Sequence, residues 1–277
     1  MQTASGLNFL NRNGVLMAET INVLAIGDVV REAGCEFLKA KLPEYKKIHN
    51  IDLCIVNGEN SGKADGVSSA SSDAIFSAGA DILTGGDHSC KRRDAYAYME
   101  KTEMLLRPYN IAKDAPGRGY AIVDKGSFKV GVINLMGRVF MDTFENPFAS
   151  ADEIIEKLKK ETPIILVDIH AEATSEKKAL GYYLDGRVSA VFGTHTHVQT
   201  SDAQILRRGT GYITDIGMTG PEESVLGIDK EIIIKKFTNG FTDMFKAADT
   251  DCFFQGCKFT IDKKTGVCTD IEAVTVR

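Results

Sequence analysis

Five places in the chain put metal-ligand residue types directly after a short apolar run. Gly27-Asp28 follows residues 21–26, Asn57-Gly58-Glu59-Asn60 follows 53–56, and Gly85-Gly86-Asp87-His88 follows 82–84. His170 comes directly after 164–169, and Gly193-Thr194-His195-Thr196-His197 follows 190–192. Of the five histidines, His88, His170, His195 and His197 lie in these segments and only His49 lies elsewhere, at a helix end. Carboxylates, an amide oxygen and imidazoles make a mixed oxygen and nitrogen set. Such a set suits Mn²⁺, Fe or Zn²⁺ better than Ca²⁺, which prefers oxygen alone, or a thiolate zinc site. The seven candidates Asp28, Glu59, Asn60, Asp87, His170, His195 and His197 are too many for one tetrahedral ion. They suit two ions sharing a bridging carboxylate. Two metals about 3.5–4 Å apart can hold a hydroxide between them, lower its pKa and clamp the oxygens of a phosphate during in-line attack. Without the ions, the same carboxylates would repel a phosphate.

Each candidate also has a plainer reading. Asp28, Glu59, Asn60 and Asp87 are ordinary turn or cap formers, and His88 and His170 could be structural histidines. His195 and His197 stand two apart, so in a regular strand both would face one side. Lys91, Arg92 and Arg93 fit a solvated helix face, with substrate phosphate as the alternative, and Arg138 could reach the cleft. Glu172 and Glu176 fit hydrogen-bond partners or helix-start charges.

These residues converge only if the elements before them do. Apolar runs at 21–26, 52–56, 81–84, 164–169 and 190–192 read as buried strands, and helical spacing covers 33–48, 69–78, 91–99, 151–160 and 175–183, with Ser150 as N-cap of the fourth. Residues 120–123 and 129–135 alternate around 124–127 as a hairpin, and 253–261 with 267–276 form a second antiparallel pair around 263–266. Strands alternating with helices predict an α/β layered domain, and the later hairpins a second, partly antiparallel sheet packed face to face on the first with helices outside. Sites in such folds lie beyond the carboxyl ends of the strands. Glycine comes just before the ligand types in four of the five segments, which predicts unusual backbone angles where the chain leaves each strand.

The chain has 277 residues, 43% apolar and 26% charged, enough for one large domain over 21–277 behind an N-terminal extension at 1–20. A net charge of −5 disfavours broad nucleic-acid binding, which needs a basic face. No run approaches the roughly 20 apolar residues of a membrane span, and residues 1–20 lack a basic start and an unbroken apolar stretch, so no secretory signal is read there. The six cysteines Cys35, Cys54, Cys90, Cys252, Cys257 and Cys268 include no CxxC pair. The expectation is free thiols in a reducing, cytoplasmic compartment. A homo-oligomer is compatible with the sequence, although no heptad or apolar stripe announces one.

In order and type, these segments resemble those of the calcineurin-like metallophosphoesterases. The stretches 170–176 and 194–200, with 134–138 and 215–221, are most similar to the YmdB-type branch, and the resemblance runs from about residue 21 to the end. It implies a two-sheet α/β sandwich and a dinuclear site. Asp28, Glu59, Asn60 and His197 would hold one ion, Glu59 would bridge, and Asp87, His170 and His195 would complete the second. His88 would protonate the leaving oxygen as general acid. The implied activity is phosphodiester hydrolysis by a metal-bridging hydroxide, with 2′,3′- or 3′,5′-cyclic nucleotides or RNA ends as substrates. Mn or Fe are the expected metals, with Zn or Mg as alternatives. Val30 stands where the wider superfamily has a histidine ligand, and Asn60 replaces it. Where the branch reads Gly-Asn-His followed by Thr-Trp-Asp, this chain has Gly86-Asp87-His88 followed by Ser89-Cys90-Lys91. An anionic ligand in place of a neutral one predicts tighter metal binding and a slower or altered reaction. Two other readings stand beside this one. One is a metal- or nucleotide-binding regulator with weak or no catalysis. The other is an amidohydrolase, whose His-x-His would belong to the first strand rather than to 195–197.

Overall fold

The computed structural model describes residues 19–63, 66–240 and 243–277, so the extension expected at 1–20 lies outside the described residues up to position 18. The strands are β1 (Thr20–Ile26), β2 (Asp28–Val29), β3 (Leu53–Asn57), β4 (Ile82–Thr84), β5 (Tyr120–Asp124), β6 (Lys129–Met136), β7 (Ile165–His170), β8 (Ala190–Thr194), β9 (Gln204–Ile205), β10 (Gly211–Ile213), β11 (Met218–Pro221), β12 (Cys252–Asp262) and β13 (Cys268–Val276). The helices are α1 (Arg31–Ile48), α2 (Ser69–Ser77), α3 (Arg93–Lys101), α4 (Pro147–Leu158), α5 (Thr174–Leu184) and α6 (Lys230–Asn239).

Two mixed sheets result. One runs β2-β11-β12-β1-β3-β4 with β13 beside β12, and the other runs β5-β6-β7-β8-β10-β9. The parallel pairs β1–β3 and β3–β4 in the first sheet and β6–β7 and β7–β8 in the second carry the five site segments at their carboxyl ends. The hairpin pattern predicts a partly antiparallel second sheet, and antiparallel pairing occurs in both sheets. β5–β6 lies in the second sheet, and β12 pairs with β1 and β13 in the first. β12 lies inside the sheet, paired with β1 and β11 along one edge and with β13 along the other.

Three apolar clusters give the layering. The first lies between the sheets and joins Val23 and Ile55 of one to Val132, Leu166 and Phe192 of the other. The second packs Leu38 and Leu42 of α1 under the first sheet, and the third packs Ile154 of α4 and Leu180 of α5 under the second. This is the helix–sheet–sheet–helix sandwich expected for calcineurin-like metallophosphoesterases, with the helices outside.

Local chemistry explains where helices begin. Ser68 caps α2, with Ser71 returning the bond in a capping box. α4 starts earlier than the expected Ser150, because Asn146 accepts the Phe148 N–H and Pro147 occupies the first turn. Ser150 lies buried inside the helix. Asp229 caps α6, and Gly240 ends it in the left-handed conformation. Among the described residues, no helix is long and apolar enough to cross a membrane.

Candidate metal centre

The five segments meet at one end of the sandwich. Asp28 starts β2, Glu59 and Asn60 follow β3, Asp87 and His88 follow β4, His170 ends β7, and His195 and His197 follow β8. One ligand atom from each of Glu59, Asp87, His170 and His195 falls within 4.8 Å of the others. His170 Nε2 lies 3.2 Å from Glu59 Oε2, 3.1 Å from Asp87 Oδ1 and 3.0 Å from His195 Nδ1. On the other side of Glu59, Asn60 Nδ2 lies 2.8 Å from Glu59 Oε1 and 3.3 Å from His197 Nε2. His197 Nε2 in turn is 3.8 Å from Asp28 Oδ1. Glu59 therefore stands between an Asp87–His170–His195 group and an Asp28–Asn60–His197 group. His88 sits at the mouth, with Nδ1 2.8 Å from Asn60 Oδ1 and Nε2 3.2 Å from Asp87 Oδ2.

The electrostatics favour positive charge at the centre. Burial pushes Asp28 above its ordinary value, with His197 and His170 pulling the other way. Burial also opposes ionisation of Glu59 and Asp87. His170, together with His88 and, at Asp87, His195, overcomes it, and both carboxyls lie below the usual carboxylate range. His170 is buried, which favours the neutral ring, yet Glu59, Asp87 and Asp28 raise it well above an ordinary histidine. Asp28 Oδ1 and His197 Nδ1 are buried without a hydrogen-bond partner. Three carboxylates, one of them with an unpartnered buried oxygen, and three imidazoles form a donor set that a divalent cation satisfies.

Two backbone features differ from expectation. The glycines at the strand ends are required for close approach, not for unusual φ. A Cβ on Gly86 would lie 2.1 Å from Glu59 Oε2 and 2.2 Å from His170 Nε2, so only glycine lets the chain pass under the cluster. Positive φ falls instead on His195 (96°) and His197 (60°). The His-x-His segment is thus not a regular strand with both rings on one face. It is a strained loop that turns the two rings toward different groups.

Polar groups that our reading of the sequence missed hold that loop in place. A buried ion pair joins Lys177 Nζ to Asp215 Oδ2 at 2.7 Å. The same oxygen accepts the backbone N–H and hydroxyl of Thr196, the residue between the two histidines. Asp168 accepts from Asn57 and from the hydroxyls of Thr84 and Thr194, tying β3, β4, β7 and β8 together beneath the site. Burial pushes its carboxyl up to about 7, against those hydroxyls and His170. The available signal was a charged residue inside an apolar strand run, Asp168 in 165–170. Glu172 and Glu176 act as expected. Glu172 lies 3.2 Å from His195 Nε2, and Glu176 binds backbone N–H groups of the loop after β6. Cys90 and Lys91 line a cavity beside Asp87, and the Arg138 and Arg93 side chains are exposed.

The chain is similar to known proteins over almost its whole length. The chain is 41% identical to a 2′,3′-cyclic-nucleotide 2′-phosphodiesterase of Bacillus subtilis, across 92% of this chain and 97% of that protein. It is 33% identical to a putative phosphatase/phosphodiesterase of Mycoplasma pneumoniae, across 94% of each. Among solved structures, a hypothetical protein from Thermus thermophilus superposes with a TM-score of 0.86 at 37% identity, covering 92% of this chain and 99% of that one. A putative 5′-nucleotidase from Staphylococcus aureus, at 16% identity and a TM-score of 0.58, shares the fold over 93% of this chain and 54% of that one. The profile of the YmdB-like proteins matches residues 24–274, from the second half of β1 into β13 and across every site segment. The chain belongs to the YmdB-like protein family.

Proposed function

We propose that this protein is a metal-dependent phosphodiesterase that opens the ring of 2′,3′-cyclic nucleotides at the 2′ oxygen. The observation that carries this reading is the convergence of Glu59, Asp87, His170 and His195 within 4.8 Å, in a chain 41% identical to an enzyme of that name. Asp87, His170 and His195 would hold one ion, and Asp28, Asn60 and His197 the other. Glu59 lies between the two groups and would bridge. Mn or Fe best suit this donor set, with Zn or Mg as alternatives. When bound, two such ions supply an activated water and neutralise phosphate charge.

The chain's own groups do the rest. Hydrolysis forms one P–O bond from water and breaks the bond from phosphorus to the 2′ oxygen, which then needs a proton. His88 is the donor we assign to it. Its ring is partly exposed at the mouth of the site, between Asn60 and Asp87, where a leaving oxygen would emerge. Asp168, Thr194, Lys177 and Asp215 orient the ligand side chains. Cleaved RNA ends carry the same cyclic phosphate and fall within this substrate class. We place the protein in the cytoplasm, a reducing compartment in which its cysteines would stay thiols.

The test is product analysis. Incubation with Mn²⁺ and 2′,3′-cyclic AMP should give the 3′ phosphomonoester. Release of the 2′ isomer, or hydrolysis of 3′,5′-cyclic AMP alone, would reject the assignment.

A further inference from the structure

The loop between β6 and α4 is held at both ends and bare in the middle. At its start, the Glu176 carboxylate accepts the backbone N–H groups of Arg138 and Val139 at 2.9 and 3.2 Å. Buried Asn110 clamps both flanks, accepting from Met136 N at 2.8 Å and donating to Met136 O at 2.7 Å and Glu145 O at 3.2 Å. Between these anchors, Phe140 has a left-handed backbone with φ of 62°, a strained conformation for an aromatic residue. Phe140 is 90% exposed and Phe144 76%. Both line a cavity of about 500 Å³ whose other wall includes Asp87 and His195. That size falls within the roughly 300–1,000 Å³ of small-molecule sites. The second hollow at the centre, beside His88, is about 240 Å³.

We propose that Phe140 and Phe144 form a stacking platform for the nucleobase of the substrate. The inference rests on the phosphodiesterase reading above and extends it to the substrate's nucleoside half. The cavity shares Asp87 and His195 with the metal centre, so its occupant is the part of the substrate attached to the reacting phosphate. Two large apolar rings held out by a pinned, strained loop beside the metal centre mark a binding surface that a flat apolar partner would cover. A nucleobase is such a partner. Stacking engages the face of the base and not its hydrogen-bonding edge, so all four bases should be accepted, with purines favoured by their larger area.

The chain has no tryptophan, so Phe140→Trp places the one tryptophan at the platform, where it can be excited apart from the tyrosines. Adenosine 3′-monophosphate should quench it saturably, and ribose 5-phosphate should not. In kinetics, Phe140→Ala and Phe144→Ala should each raise KM for 2′,3′-cyclic AMP by about tenfold with kcat nearly unchanged. Glycerol 1,2-cyclic phosphate, which has the ring but no base, should react equally well with wild type and variants. Tyrosine at either position should restore the nucleotide KM. Unchanged nucleotide kinetics, as a protein-docking role for this patch would give, or equal losses on both substrates would overturn the proposal. If wild type hydrolyses neither cyclic phosphate, the phosphodiesterase reading fails, and the fluorescence titration still decides whether the platform binds a base.

Discussion

The Asp168 carboxylate takes a 2.7 Å hydrogen bond from the Thr194 hydroxyl, across the parallel pair β7–β8. With its proton committed to Asp168, that hydroxyl presents a lone pair to His170 Nδ1, 2.9 Å away. Nδ1–H is thereby fixed as the donor, and Nε2 is the nitrogen left facing Glu59 and Asp87. Such outer partners set the tautomer of a metal-binding histidine and typically contribute 10–100-fold to affinity or activity. Thr194→Val should therefore lower kcat/KM and metal affinity by about 10–100-fold, and Thr194→Ser should retain both. Parallel metal titrations and kinetics check this. A valine variant with wild-type affinity would remove Thr194 from the positioning role.

His88→Ala should leave the metal content unchanged and lower kcat by about 10²–10⁴-fold, the usual contribution of a general acid. Elemental analysis alongside turnover separates the two effects. Loss of both ions in this variant would mean that His88 is structural.

Asp87 lies 3.1 Å from His170 Nε2 and 3.5 Å from His195 Nδ1, on the face of the cluster nearest the Phe140 cavity. Asp87→Asn replaces an anion with the neutral amide that the family pattern implies. Looser metal binding and preserved or higher kcat are expected from kinetics at saturating Mn²⁺. Complete loss of activity with metal bound would show that the carboxylate is required in this chain.

Gly86→Ala would put a methyl group 2.1 Å from Glu59 Oε2 and 2.2 Å from His170 Nε2, both on buried side chains. The cluster cannot keep its spacing around that group. The variant should fold, by circular dichroism, yet lose bound metal. Full metal occupancy would contradict the close approach seen here.

Much of this was legible in the chain because the fold writes a simple code: an apolar run for a parallel strand, then a polar residue at its carboxyl end. Asp28, Glu59, Asp87 and His170 could be found by that rule. The antiparallel partner of β1 could not, because β12 lies more than 220 residues away and pairing across such separation leaves no local mark. Short strands such as β2 and β10 carry too few residues for a period. The backbone of His195 and His197 was misread for a related reason. Spacing of two fits a strand, and the buried Lys177–Asp215 pair that holds the loop through Thr196 comes from two other segments. The strand-end glycines were recognised, but their reason lies in three dimensions, where the side chains of Glu59 and His170 occupy the space a Cβ would need.

With divalent metal bound at this cluster, the protein should hydrolyse phosphodiesters. The direct measurement is hydrolysis of bis(p-nitrophenyl) phosphate after chelation and after Mn²⁺ return, with His197→Ala alongside. Activity should vanish with chelator, return with metal and be absent from the variant. Folded, metal-loaded protein without turnover would contradict the claim and leave a metal-binding regulator in its place.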